Sequence, residues 1–201
     1  MPEYTFSKSL TGDYKEKGSS FHAVAQPACG NKDIKSKLIK MREEYPDASH
    51  ICYAYRVKMG KQLDEFSSDA GEPNGSAGIS IHNVLKRNQI VNAVIFVVRY
   101  FGGTKLGIPG LIHAYGAAAE DAIENATLKP WMEKKRLFIT YPYEYEGVMQ
   151  SILKKNDVEV VHVDFGKKID IKLEINENTV NKFIDNIREI SAGSIQIIME
   201  N

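Results

Sequence analysis

Ala93-Val94-Ile95-Phe96-Val97-Val98-Arg99-Tyr100-Phe101-Gly102-Gly103-Thr104-Lys105-Leu106-Gly107-Ile108-Pro109-Gly110-Leu111-Ile112-His113-Ala114-Tyr115 opens on an unbroken apolar run rich in β-branched residues. The run is too short to span a membrane, and it has the pattern of a strand buried on both faces. A glycine-dense loop follows, and Leu111 to Ala119 then reads as a tightly packed helix whose alanines lower the bulk of one face. The unit is strand, glycine loop, helix.

Such a loop has a physical use. Glycine admits positive φ and lets an outside group approach the backbone closely. The helix after it presents unpaired N–H groups and the positive end of its dipole, which together make an anion site. Thr104 and Lys105 add a hydroxyl and a mobile cation. The spacing is neither the Walker pattern nor the dinucleotide G-x-G-x-x-G. Two readings therefore stand side by side, an anion site and a turn that is merely sharp and close-packed.

Lys plus Arg number 26 and Asp plus Glu number 26, so the formal net charge is zero. Divided near residue 131, the first part holds 16 basic and 14 acidic residues, the second 10 and 12. Neither part is the strongly basic body of a dedicated nucleic-acid binder, so any polyanion contact is expected to be a local patch. Cys29 and Cys52 stand far apart with no C-x-x-C, against a disulfide scaffold or zinc knuckle. Met1-Pro2-Glu3-Tyr4 has no basic start and no apolar segment, and no apolar window approaches ~20 residues. The expectation is a cytoplasmic protein that meets no membrane.

Taken in order, residues 1–20 read as polar and loosely held, apart from a short strand near Tyr4–Phe6. Phe21 to Ala25 reads as a strand, and Asn31 or Asp33 opens a helix to about Tyr45 with Ile34, Leu38 and Met41 at helical spacing. His50 to Val57 is a second strand, and Lys58 to Ser76 reads as a long functional loop. Ser76 is placed to cap a helix running to Arg87. Lys129-Pro130-Trp131 reads as a hinge. Strands at Arg136–Tyr141, Val158–Phe165, Ile169–Ile175 and Ser194–Met199 then alternate with helices at Tyr145–Lys155 and from Val180 to Ile190. That gives β-α-β-β-α-β, the ferredoxin-like order. The expected fold is thus α+β in two domains, residues 1–131 and 132–201.

Several side chains carry chemistry that competes with packing. His50 and Cys52 share one strand face, as a Cys–His pair or as small core groups. Asp69 and Glu72 lie in a loop with Gly71, where they could hold a hard cation or pair with Arg56 or Arg99; the arginine pairing is preferred, because a buried arginine needs an anionic partner. His22, His82, His113 and His162 form no metal-ligand spacing. Arg99-Tyr100-Phe101 sets a cation beside two aromatics, suited either to a base and a phosphate or to helix packing. In the second domain Lys168, Asp170, Lys172 and Glu174 occupy the wet strand face where an RNA-binding sheet would need aromatics.

Together Ser68-Asp69-Ala70-Gly71-Glu72-Pro73-Asn74-Gly75-Ser76-Ala77-Gly78, Asn83-Val84-Leu85 and Val97 to Gly107 resemble the YigZ/IMPACT family, and His50-x-Cys52-Tyr53-Ala54-Tyr55-Arg56 matches its earlier strand. The second half is similar to the C-terminal domain of bacterial YigZ-type members. The resemblance implies a first domain with the fold shared by a small-subunit ribosomal protein, elongation factor G and GHMP kinases. It implies a second domain like the ferredoxin-like C-terminal domain of elongation factor G. Eukaryotic relatives act in translational control under amino-acid starvation through an added RWD domain, for which this chain is expected to have no room. Departures from the family pattern are Ser20, Ile79-Ser80, Pro109 and His113, three of which remove a positive charge.

The resulting expectation is a non-enzymatic accessory factor of translation, meeting RNA or the ribosome. Arg99, Tyr100, Gly102, Gly103, Thr104, Lys105, Gly107 and Gly110 form its anion and nucleic-acid site, organised by Arg56, Asp69, Gly71, Glu72 and Ser76. No catalytic residue, cofactor or metal is expected. The alternatives are an enzyme acting on a small phosphorylated or nucleotide ligand, and a protein-docking module without an anion site; the expected partners are RNA or the ribosome, or a translation-control protein.

Overall fold

A computed structural model describes residues 2–60, 62–124 and 126–200. The chain divides into two compact units, one through Trp131 and one from Met132. The first unit contains β1 (Tyr4–Thr5), β2 (Leu10–Glu16), β3 (Ser19–Pro27), α1 (Asn31–Glu44), β4 (His50–Met59), β5 (Gln62–Ser68), α2 (Gly78–Arg87), β6 (Ala93–Tyr100), α3 (Gly107–Glu124) and β7 (Lys129–Pro130). Its main sheet has the order β2-β3-β6-β4-β5, antiparallel throughout.

The apolar run forms β6, the middle strand, with every residue from Ala93 to Arg99 buried. Both faces of the sheet are covered, which is why β6 lacks polar alternation. On one face Ala93, Ile95 and Val97 join Ile81, Leu85 and Tyr115 from α2 and α3. On the other, Val94, Phe96 and Val98 meet Ile34 and Met41 from α1. Burial of a large aliphatic side chain stabilises by roughly 1.5–3 kcal/mol, so this double-sided packing fixes the sheet and the loop leaving it.

Four sequence expectations change. Residues 10–16 are not loose but form β2, which turns into β3 through Lys17 and Gly18, both at positive φ. That is the two-residue hairpin geometry, and β2 was obscured because an edge strand keeps many polar side chains. Lys58–Ser76 is not one long loop, since it begins in β4 and Gln62–Ser68 pairs back on β4 as β5, with residues 69–77 irregular before α2. Lys129-Pro130 pairs with Tyr4–Thr5, and the Trp131 amide donates to the Glu3 carbonyl, so the segment expected as a hinge is bonded into the first unit, whose boundary falls just after it. Ser76 does not cap α2; its hydroxyl donates to the Pro73 carbonyl.

The second unit comprises β8 (Lys134–Tyr141), α4 (Glu146–Lys155), β9 (Val158–Phe165), β10 (Ile169–Asn176), α5 (Val180–Ser191) and β11 (Gln196–Met199). The sheet order β11-β8-β10-β9, all antiparallel, is the ferredoxin-like arrangement. In β10, Ile169, Ile171, Leu173 and Ile175 are buried against Met149, Phe183 and Ile187 of the two helices. The opposite face carries Arg136 paired with Glu174, and Lys172 over the ring of Phe138 at 4.8 Å.

Candidate functional site

The residues 69–77 loop folds over the sheet because one carboxylate organises its backbone. Asp69 Oδ1 accepts from the amides of Ala77 and Gly78 at 2.9 and 2.8 Å, and Oδ2 from Gly75 at 2.8 Å. Asp69 thus serves the start of α2 from outside the helix, in the place expected of Ser76. Burial alone would raise its carboxyl, but the three backbone amides outweigh that and hold it below the ordinary range. Gly71, at φ +93°, then turns the chain so that Glu72 points into the protein.

Glu72 and Arg99 form a buried ion pair, 7% and 6% exposed, with Nη1 to Oε1 at 2.5 Å. The Tyr115 hydroxyl, from α3, donates to the same Oε1 at 2.8 Å. The guanidinium carbon lies 5.5 Å from the ring centres of both Phe21 and Phe101. Three segments of the chain therefore converge on one charge-neutral knot. Burial first, then the neighbouring Cys52 and Glu72, pushes the Tyr115 hydroxyl well above its usual range, so it stays a donor.

Arg56 does not join this group. It lies directly across from Glu65 on β5, donates to it at 3.0 Å, and also donates to the Ile90 carbonyl at 3.1 Å. The cross-strand neighbour wins because register puts it within reach. His50 and Cys52 share a face but make no bond to each other. The Cys52 thiol donates to the Asp69 carbonyl at 2.9 Å, and His50 Nδ1 sits 3.0 Å from the Ala70 carbonyl. Burial pushes the Cys52 thiol up to about 12. At pH 8 its thiolate fraction is then roughly one in ten thousand, whereas Cys29 is exposed. The expected result is one fast-reacting thiol per native chain with an aromatic disulfide reagent, and two after denaturation; two fast thiols in the native protein would contradict the packing of Cys52.

Beside the knot is a hollow of about 310 Å³ lined by His50, Glu72, Pro73, Arg99, Phe101, Lys105, Leu106, Gly107, Ile108 and Leu111. Of the expected site residues, Arg99, Lys105, Gly107 and Glu72 come together here. Tyr100, Gly102, Gly103, Thr104, Gly110, Asp69, Gly71 and Ser76 do not line it, although Asp69 and Gly71 shape the loop that does. Arg99 is neutralised by Glu72, and Lys105, the other lysine or arginine lining the hollow, makes no ion pair among the described residues. Two loop amides are held internally, Phe101 by Ser49 Oγ and Gly102 by Ser19 Oγ, both at 3.1 Å. The amides of Gly103 to Leu106 have no protein acceptor among the described residues. His113 stacks edge-on against Tyr14, with ring centres 5.5 Å apart.

Sequence reasoning missed Pro73, Leu106, Ile108 and Leu111 as walls and Tyr115 as the partner of Glu72. The half-exposed Ile108, one turn before Leu111 at the start of α3, was the available signal: apolar residues flanking a glycine loop on the outside of a helix. Among the described residues there is no group of three or more His, Cys, Asp or Glu side chains that could hold a metal, and no helix long and apolar enough to cross a membrane.

Comparison with known proteins follows the same division. The Impact N-terminal domain matches residues 17–123, and a domain of unknown function (DUF1949) matches residues 139–194. A Haemophilus influenzae IMPACT family member is 31% identical over 201 residues, covering 98% of this chain and 97% of that protein. Escherichia coli YigZ is 26% identical over 183 residues, with 90% of each chain covered. A crystal structure of a hypothetical protein, 25% identical, superposes with a TM-score of 0.70 over 98% of this chain and 96% of that one. The chain belongs to the IMPACT family and spans nearly the whole length of these bacterial relatives.

Proposed function

We propose that this protein is a cytoplasmic, non-enzymatic accessory factor of translation that grips RNA, free or in the ribosome, at the glycine loop. The observation that carries the reading is the combination at one place of an apolar, partly aromatic hollow, the Lys105 cation and the amides of Lys105 and Leu106, which have no ion-pair partner or protein acceptor among the described residues. A base needs an apolar wall and a phosphate needs donors, and single-stranded RNA offers both one nucleotide apart. Family membership supports the translational setting, because the resemblance ties its eukaryotic members to translational control. Arg99 enters as the rigid floor rather than as the phosphate contact assigned to it from sequence.

Binding suits this site better than catalysis. The thiol nearby stays protonated, and the buried carboxylate is held between an arginine and a tyrosine. Lys105→Glu is expected to weaken binding of a single-stranded RNA by about tenfold and to lower the salt slope by about one charge. Lys105 is exposed at the loop, so the melting transition should not move. An unaltered titration curve for that variant would remove the reading. The size of the hollow, about 310 Å³, also admits a single small ligand. Nucleotides that raise the melting temperature while RNA has no effect would favour that second reading.

A further inference from the structure

The hollow has one polar group whose bonding is incomplete. Glu72 lines it at 7% exposure, and both bonds to its carboxylate, from Arg99 and Tyr115, fall on Oε1. Among the described residues Oε2 receives none. The sealed side-chain atoms with no hydrogen bond among the described residues are Arg99 Nε, Ser191 Oγ and His82 Nε2, the last lying 3.3 Å from Glu65 Oε2. Glu72 Oε2 is not one of them, so it is not sealed from solvent, and Glu72 is part of the lining of the hollow. A carboxylate oxygen held at the end of an apolar chamber calls for an N–H donor.

The walls narrow the donor's chemistry. Pro73, Phe101, Leu106, Ile108 and Leu111 favour a flat, largely apolar body over an ammonium ion, which would lose its hydration there. Nucleobases with an exocyclic amino group combine a flat body with an N–H that Glu side chains accept, as they do at cytosine N4. Uracil has a carbonyl oxygen at that position. Its ring N3–H stands between two carbonyl oxygens, and both would be turned toward the carboxylate. The bonds from Arg99 and Tyr115 stop Glu72 from swinging away, so the mismatch cannot relax. Resting on the RNA reading above, we propose that the hollow takes one unstacked base and that Glu72 selects a base bearing an exocyclic amino group over uracil.

The test uses the full chain and ten-nucleotide single strands of cytidylate, adenylate and uridylate, titrated by fluorescence anisotropy. Cytidylate and uridylate are equal in size and charge, so their ratio isolates the amino group. Cytidylate and adenylate are expected to bind on the order of tenfold more tightly than uridylate. Glu72→Gln presents an amide that donates as well as accepts, and should bring uridylate within about twofold of cytidylate with the salt slope unchanged. Its melting transition is recorded alongside, and if it fails to fold the wild-type ratio alone decides. Equal binding of all three strands by the wild type overturns the selection and leaves the RNA reading standing. Binding of none removes the RNA reading, and the selection with it.

Discussion

Glu72→Ala should cost about 3–5 kcal/mol of unfolding free energy, the largest stability loss expected of any change to a polar side chain here. Removing the carboxylate leaves the Arg99 guanidinium buried without an anion, and its Nε already lacks a partner. The Tyr115 hydroxyl also loses its acceptor, worth about 1–3 kcal/mol for a buried donor. Arg99→Met alone should be costly for the mirror reason, a carboxylate left in an apolar surround. The paired change Glu72→Leu with Arg99→Met replaces both charges with packing volume, and should recover much of the loss. Urea denaturation of Glu72→Leu, Arg99→Met and the double variant closes the cycle and gives the coupling directly. Simple addition of the single effects would mean that the two groups do not act as a unit.

Gly102→Ala is the second large effect, and its origin is steric. A Cβ at position 102 would lie 1.9 Å from the Gly18 carbonyl carbon and 2.2 Å from the Ser19 amide nitrogen. Both obstacles are backbone, so no side chain can rotate out of the way. The turn between β2 and β3 must then separate from the glycine loop, which also breaks the bond from the Gly102 amide to Ser19 Oγ. Overpacking of this kind costs about 3 kcal/mol, toward the upper end of what cores show. Gly103→Ala provides the contrast: its φ of +86° strains an alanine, but nothing lies within 4 Å of the added carbon. Its cost should be about 1–2 kcal/mol. If denaturation gave equal losses for the two, the close approach at Gly102 would not be what fixes the loop.

The main features of the fold were legible where periodicity was strong. The unbroken run of β6 announced a central strand covered on both sides, and the strict alternation of β10 announced a sheet with one wet face. β2 and β5 were not legible, because both are edge strands whose polar side chains blur the alternation. At the site, the charge pairing of Glu72 with Arg99 followed from the need of a buried arginine for an anion. The choice between Arg56 and Arg99 did not, since it depends on cross-strand register that only the sheet supplies. The hollow itself was invisible in sequence. Its lining comes from residues 50, 72–73, 99, 101, 105–108 and 111, which are neighbours only after α3 packs against the sheet.

The most direct test of RNA binding at the glycine loop is a two-dimensional amide NMR titration of the labelled chain with single-stranded cytidylate. Shifts should concentrate at His50, at Glu72 and at the amides from Phe101 to Ile108 and at Leu111, and Lys105→Glu should need about tenfold more RNA to produce them. Shifts that spare those positions and gather elsewhere, or no shifts at saturating RNA, would contradict the account.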